Sequence, residues 1–271
     1  MVAPRSYGKD PGIPYIVAIG GLYKVNLIIS GISQRSGSTL VQRIFNSRPQ
    51  SLIWGEHGGI VSQFVSIGDI VGYYSAFSKR QRESFLRLEQ PDIWTANMTP
   101  ERRYVTNACI HSLRTFLDHL YAQQIESHDF IGFKEVRYGR RELELLKLCY
   151  PELKIILLIR HPRDIWASMP DWGYTSSIEV FVRDWNNRAA DYLGMISRNV
   201  PDIYLLKYED LLARTPEMLE WLLPLAKISR KDFDTVMANV LLSTRKSIPN
   251  EQGEYITSQC ALRLAEYGYS P

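Results

Sequence analysis

Cysteine is scarce in this chain. Only Cys109, Cys149 and Cys260 occur among 271 residues. They are far apart, odd in number and outside any C-x-x-C or Cys/His spacing. That argues against a structural zinc and a disulfide scaffold, and fits a reducing, cytoplasmic setting. Charge of one sign is also in short supply. Thirty-two Lys and Arg against 29 Asp and Glu leave a net +3. This is too little for a nucleic-acid binder and suits only a local basic pocket for an anionic ligand. Long hydrophobic runs are missing too. The apolar stretch Ile13 to Leu22 is broken by Pro14 and Gly20-Gly21 and stopped at Lys24. It is too short to span a bilayer, and the early Lys9, Asp10 and prolines fit a signal peptide poorly. It reads as a strand or extended lead-in, and no membrane partner is expected. No repeat or low-complexity tract is visible. What remains is 45% apolar and 23% charged residues, enough for one large α/β domain over 1–271 with a substantial core.

Within that domain, apolar runs bounded by turn residues predict five strands, at about Val25, Ser51, Asp129, Lys154 and Ile203. Helical periodicity fills the intervals. It covers the region after Gly37, most of Ile60 to Ala96, about Pro100 to Gln124, Arg141 to Cys149, a helix opened by Pro162, Ser176 to Arg198, and about Thr215 to Leu225. The tail from Ser229 reads as short helix mixed with loop. Strands alternating with helices imply a parallel sheet covered on both faces, with ligands at the carboxyl ends of the strands. The stretch 60–124 is a helical insertion, a candidate wall or lid for a pocket. Its aromatics, Phe64, Tyr73, Tyr74, Phe77, Phe85 and Trp94, are each better explained by packing than by a ligand.

The first strand, loop and helix read NLIISGISQRSGSTLVQRIFN over 26–46. A strand feeding a small-residue loop and a helix N-terminus makes an anion site, because unpaired N–H groups and the positive end of the helix dipole face the loop. Ser36, Ser38 and Thr39 add hydroxyls, and Gly37 lets the backbone close on an oxygen. A Walker A loop starting at Gly31 would need glycine at position 36 and lysine at position 37. Ser36 and Gly37 stand there instead, and the cation is Arg35. The other strand ends carry Glu56-His57, Lys134, Arg160 with Arg163, and Tyr208. A P-loop kinase needs an acidic strand end to hold Mg²⁺. Neither Phe133-Lys134 nor Ile159-Arg160 supplies one, so the site is expected to neutralise its anion with protein cations and no metal.

The segments SQRSGSTL, GFKEVRY, LLIRHPRDIWAS and LLKYEDLL together resemble the sulfotransferases that use 3′-phosphoadenosine 5′-phosphosulfate (PAPS). The resemblance runs from about Asn26 to Lys227. It is nearest to the branch containing tyrosylprotein and bacterial carbohydrate or small-molecule sulfotransferases. It implies that the sheet is of the P-loop type and that Arg35, Ser36, Gly37, Ser38 and Thr39 hold the 5′-phosphosulfate. Arg160 and Ser168, at the family's separation, would hold the 3′-phosphate, and Tyr208 would stand near the adenine or serve simply as a core tyrosine. The family's C-terminal basic pair is matched by Arg245-Lys246, although Ser247 stands where a glycine usually follows. On this reading the tail 228–271 closes the cofactor site.

The resemblance also implies that Glu56 is the base that takes the acceptor proton, with Lys134 and Arg35 stabilising the charge that builds during transfer. An ion pair with a nearby carboxylate is the lesser reading of Lys134. The strand-borne histidine of the cytosolic branch falls at Val136, which takes no proton. His57 is left as the competing base, or as a group that orients a ligand. Trp54, Trp172 and Tyr174 are candidates for the acceptor pocket. The acceptor itself is expected to be a small molecule offering a hydroxyl or a nitrogen, such as a specialised metabolite of the cyanobacterial alkaloid kind. The alternatives are a P-loop small-molecule or nucleoside kinase, a protein-tyrosine or carbohydrate sulfotransferase, and a nucleotide-binding protein without catalysis. A monomer and a homodimer are both compatible with the sequence.

Overall fold

The computed structural model describes residues 25–87, 98–123, 125–169, 177–239 and 247–269. The apolar runs become five strands: β1 (Leu27–Gly31), β2 (Ser51–Trp54), β3 (Phe130–Glu135), β4 (Lys154–Ile159) and β5 (Ile203–Lys207). All pair in parallel, in the order β2-β3-β1-β4-β5. The central strands β1 and β4 read LIISG and KIILLI, nearly continuous apolar runs, as expected for strands buried on both faces. Gly132 in β3 is required by its neighbour, because a Cβ there would lie 2.2 Å from the Leu27 carbonyl oxygen of β1.

Eleven helices are present among the described residues. α1 (Ser38–Asn46) follows the first loop. The insertion comprises α2 (Ile60–Phe77), α3 (Lys79–Leu86) and α4 (Arg102–Leu120). Then come α5 (Arg140–Cys149), α6 (Pro162–Ala167), α7 (Ile178–Ile196), α8 (Tyr208–Ala213), α9 (Pro216–Ala226), α10 (Arg230–Ala238) and α11 (Asn250–Glu266). Alternation along the strands splits the core in two. Ile28, Ile155 and Leu157 face Trp185 and Tyr192 of α7, Leu143 of α5 and Ile256 of α11. Leu27, Ile29, Ile156 and Leu158 face Val41, Ile44 and Phe45 of α1 and Leu222 of α9. Both sheet faces are therefore covered, as the parallel topology demands.

Two readings of the sequence change. The tail is not short helix and loop, since α11 runs for 17 residues and packs on α6 and α7. The insertion does not bury all its aromatics, because Tyr73 and Phe77 are 66% and 63% exposed on the outer side of α2. The expected lead-in over 13–22, and Trp94, lie outside the described residues.

Candidate active site

The loop from β1 to α1 occupies the centre of the sheet's carboxyl edge. Two residues in it adopt left-handed backbone, Arg35 at φ 64° and Gly37 at φ 98°. Glycine is needed at 37 for a second reason. A Cβ would come within 2.3 Å of the Tyr208 ring, which closes over the loop from the start of α8. α1 begins here with no side-chain cap, so its first N–H groups are open to an anion. The Ser36 hydroxyl is buried and has no hydrogen-bond partner among the described residues. A buried hydroxyl without a partner is costly, and in a loop shaped for an anion it is explained by a ligand oxygen. Ser38 is buried beside it, whereas Thr39 is exposed.

Arg160 and Ser168 are 4% and 6% exposed and are tied to this loop. Arg160 donates from Nη1 to the Arg35 carbonyl at 2.8 Å, and Arg35 donates from Nε to the Ser168 carbonyl at 3.0 Å. The Arg160 guanidinium also lies 4.5 Å over the Tyr208 ring, a cation–π contact that fixes its plane. The loop, the end of β4 and the end of α6 thus form one cationic unit. The Ser168 hydroxyl donates to the Ile165 carbonyl at 2.8 Å. To serve a phosphate, it has to exchange that bond.

On the other side of β1, the register pairs Trp54 of β2 with Phe133 of β3, and this carries Glu56 and Lys134 to the same place. Lys134 Nζ donates to Glu56 Oε1 at 2.7 Å, and Arg137 Nη1 to Glu56 Oε2 at 3.1 Å. The lesser reading of Lys134 is therefore the observed one, and its ion-pair partner is the expected base. Half-burial works against ionisation of Glu56. The hydrogen bonds and charges of Lys134 and Arg137 outweigh it and hold the carboxyl below the ordinary glutamate range.

Arg137 and Glu135 were given no role from the sequence. Glu135 is completely buried and accepts from Gly59 N at 2.7 Å, Val136 N at 2.9 Å and Arg137 Nη1 at 2.5 Å. It is an acidic residue at a strand end, but its oxygens are committed to holding the turn that carries Glu56. Its signal in the sequence was only a third charge in KEVR.

His57 turns away from Glu56's partners. Its ring packs 4.5 Å from Phe133, near Tyr121 and Tyr138, with neither nitrogen partnered. Burial pulls its pKa below the usual histidine value. Trp54 stacks on Tyr121 at 6.3 Å. Beside the Glu56–Lys134 pair lies a cavity of about 190 Å³, bordered by Ser33 and Gln34 of the loop, Val136 and Arg137, and Asp184 and Arg188 of α7. Trp172, Tyr174, Arg245 and Lys246 lie outside the described residues.

A family model described as the sulfotransferase family matches residues 27–232. The chain belongs to the sulfotransferase family. It is therefore an enzyme of sulfuryl transfer, which requires a sulfate donor. Among solved structures, this sulfotransferase is similar to the sulfotransferase domain of the Synechococcus PCC 7002 olefin synthase. The TM-score is 0.52 and the identity 15%, with 92% of this chain and 95% of that one covered. It is also similar to sulfotransferase STF9 from Mycobacterium avium, with TM-score 0.52, identity 11%, and coverage of 92% and 78%. At these identities the likeness is one of fold. No curated protein sequence matches the chain. Among the described residues of this sulfotransferase, no helix is long and apolar enough to cross a membrane.

Proposed function

We propose that the enzyme transfers the sulfuryl group of PAPS to a hydroxyl or nitrogen of a small molecule, with Glu56 as base. The observation that carries this reading is the Glu56 carboxylate held at 2.7 Å by Lys134. It puts a proton acceptor and a cation side by side at the mouth of an anion loop. The residues fit the donor. The uncapped start of α1, the unpartnered Ser36 hydroxyl, Arg35 and Ser38 suit its phosphosulfate end, with Thr39 at the exposed rim. Arg160 and Ser168 suit its 3′-phosphate, and Tyr208 closes the loop beside them.

In the reaction, the acceptor oxygen or nitrogen forms a bond to sulfur as the bond from sulfur to the donor's bridging oxygen breaks. The acceptor proton passes to Glu56, and adenosine 3′,5′-bisphosphate leaves. Lys134 has three N–H donors, so it can keep Glu56 and also meet the negative charge growing on the bridging oxygen. Arg35 neutralises the transferring group. Positioning and charge neutralisation are the main demands of such a transfer, as in phosphoryl transfer. The His57 ring packs on Phe133, whereas Glu56 lies beside Lys134, which favours Glu56 over it as base.

The test is Glu56→Gln, which keeps shape and removes the base. Turnover is expected to fall roughly 10²- to 10⁴-fold, with bisphosphate affinity within a few-fold of wild type by calorimetry. Turnover that persists in a folded variant removes Glu56 from this role. Lys134→Ala separates catalysis from binding. It should lower kcat far more than donor affinity.

Calorimetry with adenosine 3′,5′-bisphosphate and with ATP, each with and without Mg²⁺, tests the donor. Metal-independent binding of the bisphosphate supports PAPS, and metal-dependent binding of ATP supports a kinase. The commitment of Glu135 to Gly59, Val136 and Arg137 weighs against the kinase, because it occupies the acidic group at the end of β3. A specialised metabolite, including a nitrogen-rich alkaloid, remains the proposed kind of acceptor.

A further inference from the structure

The cavity beside Arg137 adjoins the proposed base, since Arg137 both borders it and holds Glu56 at 3.1 Å. Two opposite charges border it from α7. Asp184 and Arg188 are four residues apart, the spacing at which aspartate and arginine ordinarily pair on a helix. Here they do not pair. Asp184 receives Arg183 through Oδ1 alone, at 3.1 Å and 3.0 Å. Arg188 donates Nη1 to the Ile32 carbonyl at 2.8 Å. The second oxygen of Asp184 and the remaining nitrogens of Arg188 have no protein partner among the described residues. In the loop, Gln34 buries its Oε1 without a partner. The other cation, Arg137, is already held by Glu56 and Glu135. The rest of the lining is Ser33 and the apolar Val136, Met169 and Phe181.

A cation and an anion that border one cavity and leave each other unpaired are matched by a ligand carrying both charges. We infer that the acceptor is a dipolar small molecule of the amino-acid type. Its ammonium pairs with Asp184, with the Gln34 oxygen as a further acceptor, and its carboxylate pairs with Arg188. Its apolar body rests on Met169 and Phe181. An apolar cavity of roughly 150 Å³ holds one benzene, so about 190 Å³ suits a body of one ring. Asp184 is then a specificity-determining residue. This inference rests on the sulfotransferase reading and goes beyond it by naming the acceptor class.

Three probes share a phenol and differ in charge: L-tyrosine, tyramine and 3-(4-hydroxyphenyl)propanoate. Each is titrated calorimetrically into the full chain, with and without saturating adenosine 3′,5′-bisphosphate. Tyrosine is expected to bind about fivefold more tightly than either single-charge probe, the size of a half-exposed ion pair. Asp184→Asn should weaken tyrosine and tyramine by about that factor and leave the propanoate within about twofold. Equal affinity for the three probes, no binding at millimolar concentration, or an Asn variant indistinguishable from wild type overturns the inference. The bisphosphate titration reports separately on the donor. If the bisphosphate binds and the probes are not discriminated, only the acceptor class is lost. If the bisphosphate fails to bind, the donor reading is lost, and the probe titrations without it still judge the cavity.

Discussion

Glu56 is an ion-pair partner of Lys134 and Arg137, and on the proposed reading it is also the base during turnover; its environment makes these compatible. Lys134 and Arg137 lower its pKa despite partial burial, so it stays ionised across the neutral range. Because the folded pKa is depressed, any stability from this pairing is present above the ordinary glutamate value, near 4.3, and is lost as pH falls through the depressed one. Accordingly, kcat/KM is expected to show no acid limb between about pH 5.5 and 8 from the base. An acid limb inside that window, below the ordinary histidine value near 6.5, would transfer the role to His57. Glu135 makes a second prediction at this scale. Glu135→Gln replaces an acceptor oxygen with a donor facing Gly59 N, Val136 N or Arg137. It should cost roughly 3 kcal/mol, read from the urea midpoint, and should lower activity by loosening the turn that carries Glu56.

At the scale of elements, the loop between β1 and α1 was legible. Its glycine, serines and displaced cation predict an anion cradle, and the backbone bears that shape. What the sequence did not contain was the use of Gly37. Its left-handed φ is a local property, but its contact with Tyr208 comes from a residue 171 positions later. Gly37→Ala is expected to lose about 1–3 kcal/mol from the backbone conformation alone and to weaken bisphosphate binding at least tenfold as Tyr208 is displaced. The double variant with Tyr208→Ala separates the two, since it removes the clash and leaves the backbone cost. The strands β2, β4 and β5 begin where the sequence reading places them, at Ser51, Lys154 and Ile203, because apolar runs between Pro, Gly and charge leave little room for shift. The helix α11 was missed. Its buried positions Gly253, Ile256, Cys260 and Leu264 follow helical spacing, but two are small and the rest of the helix is polar.

At the scale of the whole molecule, α11 is what joins the tail to the Arg160 side of the site. Trp166 of α6 donates to Gln252 at 3.0 Å, Asn186 of α7 to the Gln259 carbonyl at 3.1 Å, and Tyr267 to the Ala189 carbonyl at 2.8 Å. Beyond the helix, Tyr269 donates to Glu209 at 2.8 Å. Glu209 in turn accepts from His161 N at 2.9 Å, next to Arg160. Ending the chain at Pro249 is therefore expected to lower the thermal midpoint and to weaken bisphosphate binding through α6. Unchanged values of both would show that the tail only covers the core.

The sequence by itself determined the order of strands and helices, the anion loop without a Walker lysine, and the set of charges at the strand ends. These are local properties, written in periodicity, turn residues and short spacings. The tertiary structure decided which of those charges act together. Lys134 reaches Glu56 across 78 positions only because β2 and β3 pair with Trp54 opposite Phe133. Arg160 reaches the Arg35 carbonyl across 125 positions because β1 and β4 are neighbours. Asp184 and Arg188 stay apart where a free helix would pair them, with Arg188 drawn instead to the Ile32 carbonyl of the loop. Sheet register and helix docking set such distances, and no short stretch of sequence carries either.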